Sequence, residues 1–299
     1  MDQLHLMQVY VAVAEEEGFA AGARKLGLSP PAVTRAIAAL EDKLKVKLLN
    51  RTTRYVRTTE SGERYLIDAR RILQEVEMAN EAAVGINAKP RGRLAITAPV
   101  LFGKMFVMPA IIEYLQHYPD TEVETVFLDR VVNLLEEGLD VGIRIGELPD
   151  SSMRALKVGT VRMILCASPE YIKRKGIPQD PNDLINHDSI FSRAVNANSE
   201  WFFDYNKQAQ KIKLKPRLIV NTNDAAIEAA KSGFGITRLL SYQVAPLLAS
   251  GELKILLESY EPKPSPIHIV HREGHLTSTK VRSFIDLIAK QLRSNQALN

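Results

Sequence analysis

The sequence predicts an α/β protein in three parts: a small helical domain at the N-terminus, one long helix, and a two-lobed domain of alternating strands and helices. Three observations predict this. The 299 residues suffice for about two domains, the first sixty combine three short helical patterns with two β-prone runs, and a long helical pattern follows. The expected boundaries are 1–58, 59–89 and 90–299, with a first lobe of about 90–161 plus 266–299 and a second of about 162–265.

Composition excludes several classes of protein. Hydrophobic residues make up 45% and charged residues 25% of the chain, as in ordinary globular domains with a sizeable core. No apolar run reaches the roughly 18 residues of a membrane helix, so we expect neither a signal peptide nor a membrane partner. The single cysteine, Cys166, cannot form an intramolecular disulfide, which fits a reducing compartment. We therefore expect a cytoplasmic protein.

Positive charge is concentrated near the N-terminus. The whole chain carries +4 at pH 7, whereas Gly18 to Thr59 contains nine basic residues against two acidic ones. Such an excess suits a polyphosphate partner, because neutralised phosphates release their counterions. A basic face that contacts only solvent is the alternative, so the local geometry has to decide.

The first sixty residues predict three helices with a short turn before the third. Residues 4–13 are dense enough in apolar side chains for a mostly buried first helix that stops near Gly18. A second helix spans about Ala20 to Leu26. The third begins at Ser29-Pro30, because serine caps free amides and proline at the first helical position loses no hydrogen bond.

The third helix has one buried face and one outward face. The predicted buried stripe consists of Val33, Ile37, Leu40 and Leu44. The outward face is small with one arginine: Pro31, Ala32, Thr34, Arg35, Ala38 and Ala39. Small side chains let a helix approach the floor of a major groove, where Thr34 and Arg35 reach base edges or phosphates. Asp42 lies farther along and repels phosphate, so we expect the N-terminal half to enter the groove. A three-helix packing unit with an exposed alanine face is the alternative.

Two β-prone runs around a polar turn follow this helix and predict a hairpin, or wing. Arg51, Arg54 and Arg57 recur at spacings of three and place cations at its tip and base. There they contact the DNA backbone or the minor groove. Together with the helix start and the local charge, the wing favours double-stranded DNA as the partner.

This region resembles the LysR-type transcriptional regulators. The matching residues are Leu4, Phe19, Ala23, Arg24, Leu26, Ser29, Pro31 to Arg35, Ile37, Leu40, Glu41, Leu44, Val46, Leu48, Arg51 to Arg54, Thr59 and Gly62. The resemblance covers essentially the whole chain. It implies a winged helix-turn-helix, a dimerising linker helix and a periplasmic-binding-protein-like sensor domain. The DNA-binding residues we expect are Ser29, Pro30, Pro31, Ala32, Thr34, Arg35, Arg51, Thr52 and Arg54.

Two residues depart from the family pattern. Lys45 stands where glycine usually ends the recognition helix, and Leu49 stands where phenylalanine is usual. A positive φ costs a lysine about 1 kcal/mol. We therefore expect the helix to end differently here.

The long helix runs from Thr59 to about Val84, with Glu60 and Glu63 in its first turn. Its apolar stripe is broad: Tyr65, Leu66, Ala69, Ile72, Leu73, Val76, Ala79, Ala83 and Val84. A helix on the order of 40 Å is longer than one small domain needs, so we expect pairing with a second copy. Docking on its own domain is the alternative. The resemblance further implies a homotetramer, an interrupted inverted-repeat operator and RNA polymerase as a partner.

Strands and helices alternate in the remainder and predict mostly parallel sheets flanked by helices. The predicted strands are 94–98, 122–128, 141–145, 163–167, 218–220 and 267–271. The predicted helices are 101–118, 131–137, 169–175, 224–232 and 278–292. We expect the last strand and helix to return to the first lobe.

Sheets of this kind bind ligands beyond the carboxyl ends of their strands, where helix starts supply free amides. The ends identified here are Thr97 to Pro99, Arg144 to Gly146, Asn221 to Asn223 and Gly235 to Thr237. The resemblance implies a small-molecule effector between the lobes, held by Thr97, Pro99, Val100, Leu101, Phe102, Gly103, Arg144, Gly146, Phe191, Ser192, Thr222 and Thr237. For single residues, helix caps at Thr97 and Thr222 and a salt bridge at Arg144 are the alternatives. The helix amides, Arg144 and Arg238 favour a small anion such as a carboxylate.

No pattern predicts catalysis. The six histidines include no zinc-binding helix motif, and the chain has no GxSxG, Walker or GxGxxG motif. Cys166 fits a small core residue better than a nucleophile. We expect a regulator without enzymatic activity, metal or cofactor. The rival class is a solute-binding receptor that uses only the two lobes, and the basic N-terminal module argues against it.

Overall fold

A computed structural model describes residues 2–51, 56–84, 89–148, 153–194, 200–205, 208–272 and 278–298. The chain forms two compact units, the first consisting mainly of residues 1–89 and the second mainly of residues 90–299. Among the described residues, no helix combines the length and hydropathy that crossing a membrane requires.

The first unit contains three short helices, a hairpin and one long helix. Their bounds are α1 Gln3–Glu15, α2 Phe19–Leu26, α3 Pro30–Leu44, β1 Leu49–Arg51, β2 Val56–Thr58 and α4 Glu60–Val84. The short helices enclose a core that includes Val9, Val33 and Ile37, none of them exposed. β1 and β2 pair antiparallel, with Leu49 opposite Thr58. The predicted winged helix-turn-helix is confirmed.

The end of α3 corrects two expectations. Lys45 has a φ of 54°, so the helix does end in the left-handed turn that we expected Lys45 to prevent. The amides of Lys45 and Val46 bond to the carbonyls of Asp42 and Glu41 at 3.3 and 3.2 Å. These bonds satisfy carbonyls that the helix end leaves open and offset the backbone cost. Leu44 is 36% exposed rather than buried, because the core is closed beside the helix end by Leu48, which is 1% exposed.

The second unit contains two five-stranded sheets, and we call the region around each a lobe. The first-lobe strands are β3 Gly92–Ala98, β4 Thr121–Phe127, β5 Val141–Ile145, β6 Met153–Val161 and β14 Ser265–Arg272, in the order β4-β3-β5-β14-β6. The second-lobe strands are β7 Met163–Ala167, β8 Ser189–Ser192, β11 Leu218–Val220, β12 Ile236–Leu240 and β13 Lys254–Leu256, in the order β11-β8-β12-β7-β13. A separate hairpin joins β9 Glu200–Tyr205 to β10 Gln208–Lys213.

Helices cover these sheets and close a core in each lobe. Their bounds are α5 Val100–Phe102, a π-helical stretch Gly103–Val107, α6 Met108–His117, α7 Pro169–Lys175, α8 Asn223–Lys231, α9 Ser241–Ala249 and α10 Thr279–Ser294. Short 3₁₀ turns occupy Pro181–Asn186, Glu258–Tyr260 and Gln296–Leu298. Segment 100–117 and α10 pack on the first sheet. α8 and α9 contribute Ala226 and Val244 to the core of the second lobe.

Two expectations for this unit are wrong. In each sheet two strand pairs are parallel and two antiparallel, because β14 and β7 run opposite to their neighbours. Residues 131–137 form turns instead of a helix. The Asn133 side chain accepts the Leu135 amide and the Asn133 carbonyl accepts the Glu137 amide, both at 3.1 Å. These bonds form a single turn, which Gly138 ends at a φ of 65°.

Candidate DNA-binding and effector sites

The start of α3 presents the predicted DNA-reading face. Ser29 Oγ accepts the Ala32 amide at 3.4 Å, and Thr34 Oγ1 donates to the Pro30 carbonyl at 3.0 Å. Both bonds fix the first turn of the helix. The exposed members of the predicted set are Ser29, Pro30, Pro31 and Arg35, while Ala32 and Thr34 are half-buried. The face is therefore accessible along its first two turns.

Arg35 is the exposed cation of the predicted DNA-reading face. It has no hydrogen bond or ion pair to any residue that the structure describes. By contrast, Lys25, Lys45 and Lys47 each bond a carboxylate at 2.7 to 3.1 Å. Asp42, expected to repel phosphate, is the partner of Lys45 at 2.8 Å. Pairing reduces that repulsion at the C-terminal end of α3.

The wing is described only at its base. Arg51 pairs with Val56 through the backbone, and its side chain lies outside the described part. Thr52 and Arg54, two predicted DNA contacts, also lie outside the described residues. Their roles stay predictions.

Glu41 anchors the wing to α3, a role that the sequence analysis missed. Its side chain is 4% exposed, and its Oε1 accepts the amides of Leu48 and Leu49 at 2.9 and 3.2 Å, while Oε2 bonds Lys47 Nζ at 2.7 Å. Burial opposes ionisation of Glu41, but these three bonds outweigh it and lower the pKa of the carboxyl group. The available signal was the position of Glu41 four residues after Ile37, beside the buried stripe.

In the first lobe, an internal carboxylate already occupies the helix start that was predicted to bind the effector. The Val100 amide donates to Asp129 Oδ1 at 3.0 Å. Burial raises the pKa of Asp129, the Val100 bond opposes the shift, and the nearby charge of Asp224 adds to it. The expectation of a free amide at Val100 is therefore wrong. Asp129 directly follows β4, so the carboxyl-end rule applied to that strand would have found it.

Other predicted residues of this edge have structural partners. Thr97 is 5% exposed and its hydroxyl donates to the Val126 carbonyl at 2.7 Å, so it is not a helix cap. Gly103 lies against the ring of Phe127, where an added Cβ would come within 2.6 Å. Pro99 is half-buried, and its carbonyl accepts the Gly103 amide at 2.7 Å. This edge of the first lobe is closely packed.

Leu101 and Phe102 join the two lobes. Leu101 packs against the core of both, and the ring of Phe102 meets Tyr242 of α9 edge-on, with centroids 5.3 Å apart. Phe106 contacts the same tyrosine at 5.7 Å. Phe102 and Tyr242 are at most 1% exposed, so Phe102 serves the packing between the lobes.

Arg144 and Gly146 lie at and just after the carboxyl end of β5. Arg144 donates to the Val132 carbonyl, and no described carboxylate pairs with it, so the described residues do not support the alternative of a salt bridge. Burial lowers the pKa of Arg144. Gly146 has a φ of 115°, and its amide donates to the Pro266 carbonyl at 2.9 Å.

The second lobe places Phe191, Ser192 and Thr222 at one edge, where the neighbouring parallel strands β8 and β11 end, and it places Thr237 near the start of β12. Phe191 and Ser192 end β8, and Thr222 is exposed before α8 without a side-chain cap bond. Thr237 is fully buried and donates to the Ile190 carbonyl at 3.3 Å. Taking Gly235 to Thr237 as a carboxyl end is wrong, because β12 begins at Ile236 and runs parallel to β8.

Metal and thiol chemistry find no support in the described residues. No group of three or more His, Cys, Asp or Glu side chains there has an arrangement able to hold a metal ion. Cys166 is buried, and burial raises the pKa of its thiol to about 12. A thiol with that pKa is protonated at neutral pH and is a poor nucleophile.

Comparison with known families accounts for both units. Residues 4–63 match the family described as "Bacterial regulatory helix-turn-helix protein, lysR family". Residues 87–293 match the family described as "LysR substrate binding domain". The two matches together cover most of the chain.

Similar proteins are named as regulators. An uncharacterized HTH-type transcriptional regulator of Haemophilus influenzae is 31% identical, over 91% of this chain and 94% of its own length. The transcriptional activator AaeR of Escherichia coli is 32% identical, over 96% and 93%. The solved structure of CrgA, a LysR-type transcriptional regulator from Neisseria meningitidis, is 29% identical, covers 97% of this chain and 99% of its own, and superimposes with a TM-score of 0.63.

Proposed function

Since this chain belongs to the LysR family of transcriptional regulators, we propose that it binds an operator through α3 and the wing and that a small molecule bound in the C-terminal domain changes this binding. The resemblance found in the sequence is confirmed, and the function is regulatory rather than enzymatic. The alternative hypothesis of a solute-binding receptor is not favoured, because residues 4–63 match a helix-turn-helix family of regulators.

The domain boundaries of this proposal are 1–58 for DNA binding, 59–89 for the linker and 90–299 for effector binding. Sheet membership supports the division of the last domain into lobes. Strands between 92 and 161 and the strand Ser265–Arg272 share one sheet, and the strands of the other sheet lie between 163 and 256. The first lobe therefore comprises about 90–161 plus 266–299, and the second about 162–265.

The observation that carries the DNA-binding proposal is the accessible first half of α3. Its capped start exposes Arg35 without a partner among the described residues, next to the half-buried Thr34 and Ala32. A capped helix start with small side chains and one unpaired guanidinium fits the major groove of duplex DNA. In this proposal Arg51, Thr52 and Arg54 contact the DNA beside it.

Dimerisation is proposed through α4. The helix has 25 residues and is about 38 Å long. Leu66, Ile72, Leu73 and Val76 on its apolar stripe are half-buried in the single chain, so a second copy would cover them. A pair of such dimers forms the proposed cytoplasmic homotetramer, which reads an interrupted inverted repeat and works with RNA polymerase.

The proposed effector is a small anion. It regulates only if it binds the active and inactive arrangements of the protein with different affinity. The candidate contacts with exposed or half-buried side chains are Pro99, Val100, Leu101, Arg144 and Thr222. The supporting layer of this site consists of Thr97, Phe102, Gly103, Gly146, Phe191 and Ser192; Thr237 is left out, because it lies near the start of β12.

A salt-titrated gel shift with duplex DNA from upstream of the protein's own gene tests the DNA-binding proposal. Arg35→Ala should lower the ratio of the affinities for this duplex and for a scrambled one by about tenfold or more, because one base contact contributes about 1–3 kcal/mol. Lys25→Ala is the matched control, since its ammonium already bonds Glu15 and Glu16 at 3.1 and 2.9 Å. Equal discrimination by Arg35→Ala and wild type would refute the assignment of this face.

A further inference from the structure

Arg238 is a charged side chain buried without a counter-ion. It lies in β12 opposite Leu165 of β7 and is 7% exposed, and its Nε has no hydrogen-bond partner. No carboxylate in the described part of the chain pairs with it. Its described contact is with the ring of Phe203, whose centroid lies 5.7 Å from Cζ. Burying an ionised guanidinium costs far more than one ring contact returns.

Two other arginines of this lobe also lie over aromatic rings. Each of them also has a side-chain hydrogen bond or an ion pair, which Arg238 lacks among the described residues. Arg174 lies 5.4 Å from the ring of Tyr171, is exposed, and donates to the Gly233 carbonyl at 2.6 Å. Arg217 lies 5.4 Å from the ring of Phe234 and pairs with Asp188 at 2.8 Å. A ring contact alone therefore does not explain why Arg238 is buried.

Deprotonation of Arg238 does not remove the cost of burying its charge. Burial lowers the pKa of Arg238 to about 10, which leaves the guanidinium ionised at neutral pH. A buried positive charge in this state is stabilised by an anion that reaches it. The chain supplies no such anion from its described residues, which favours a bound molecule as the source.

The surroundings of Arg238 are aromatic and apolar. Arg238 points to the same face of the sheet as Ile236, because residues two apart in a strand share a face. On that face the hairpin β9–β10 packs Trp201 and Phe203, and Trp201 stacks on Phe191 with centroids 4.8 Å apart. A molecule that reaches Arg238 from this face would contact apolar and aromatic side chains, which favours an organic molecule with an apolar body and one anionic group.

Of the other groups considered for an anion, the Val100 amide is engaged, and Arg144, whose Nε also lacks a partner, is only half-buried, so water screens its charge better than that of Arg238. The Val100 amide bonds Asp129, and Arg144 donates to the Val132 carbonyl. We infer that Arg238 binds the carboxylate of an apolar monocarboxylic acid, and that this acid is the effector. The inference rests on the proposed function in taking the bound molecule as the effector.

Thermal unfolding of the full-length protein in low-chloride buffer tests the inference with benzoate and its neutral analogue benzamide. Benzoate should raise the unfolding temperature in a saturable manner, because a ligand that binds only the folded state stabilises it, whereas benzamide should not. Arg238→Met should lose the benzoate shift. Without any anion it should unfold at a higher temperature than wild type, since it removes an uncompensated charge at similar volume.

Arg174→Gln is the matched control and should keep the benzoate shift. A benzoate shift that survives in Arg238→Met overturns the inference, as does an Arg238→Met protein that is less stable than wild type or does not fold. If benzoate does not shift the unfolding temperature of the wild-type protein, the inference also fails.

The gel shift separates this failure from failure of the proposed function. A wild-type protein that binds its upstream duplex but shows no carboxylate effect retains the DNA-binding function and loses the inference. A protein that shows the carboxylate effect but ignores duplex DNA at low salt loses the proposed function, while binding of an acid at Arg238 stands.

Discussion

Glu41→Gln should loosen the wing from α3. Glutamine keeps the shape and an acceptor for the Leu48 and Leu49 amides, but it loses the charge that strengthens both bonds. Hydrogen bonds to charged groups contribute about 1.5–3 kcal/mol each, against about 0.5–1.5 kcal/mol for neutral ones. The two bonds together should therefore weaken by about 2 kcal/mol. Loss of the ion pair with Lys47 adds little to this free energy, because the Lys47 side chain is 77% exposed.

Hydrogen exchange of the Leu48 and Leu49 amides in the full chain measures this local loss. About 2 kcal/mol corresponds to roughly 30-fold less protection, since each 1.4 kcal/mol is tenfold. Asp42→Asn is the matched control, because Asp42 is the neighbouring acid, is 80% exposed and bonds only the exposed Lys45. It should leave both amides as protected as in wild type.

The same contact should respond to acid. The folded-state pKa of Glu41 is lowered from its usual 4.5, so its contribution is present above that value and is lost as the pH falls through the folded-state pKa. The protection ratio of wild type to Glu41→Gln should therefore shrink towards one below pH 4.5. Equal protection of Leu48 in the two proteins at pH 7, or a ratio that does not change in acid, would refute the reasoning.

Two further variants test the N-terminal unit. Gly62→Ala would place a Cβ 2.1 Å from the Leu48 carbonyl oxygen and 2.9 Å from Tyr10 Oη, so it should disrupt the junction of α4 with the wing and abolish operator binding in a gel shift; wild-type affinity would contradict this. Arg54→Ala should weaken binding to operator and scrambled duplexes alike and reduce the slope of log affinity against log salt by about one, and an unchanged slope would exclude a phosphate contact there.

Elements with strong local signals could be located from the sequence alone. Ser29-Pro30 places the start of α3, because capping chemistry acts within one turn. The predicted strand Val141–Ile145 and helix Pro169–Lys175 also agree with the structure residue for residue. In these segments composition and periodicity specify the same conformation that the tertiary contacts require.

Strand direction and long-range polar contacts could not be predicted in this way. The antiparallel placement of β14 depends on pairing with β5 and β6, more than a hundred residues earlier in the chain. The bond between Asp129 and the Val100 amide likewise joins residues 29 apart. For residues 131–137 the apolar spacing fits a helix, but Gly138 ends the segment after one turn, which is too short for a stable helix.

The contact of Leu101, Phe102 and Phe106 with the second lobe affects the effector concentration at which the protein responds. Any effector that separates the lobes has to wet these side chains, and exposing one fully buried leucine or phenylalanine costs about 1.5–3 kcal/mol. Exposure of the fully buried Phe102 therefore raises the half-maximal concentration of such an effector by about tenfold or more, and the half-buried Leu101 and Phe106 add less. Trimming Phe106, which contacts Tyr242 of α9 and is not among the proposed effector contacts, would accordingly lower the effector concentration at which the protein responds.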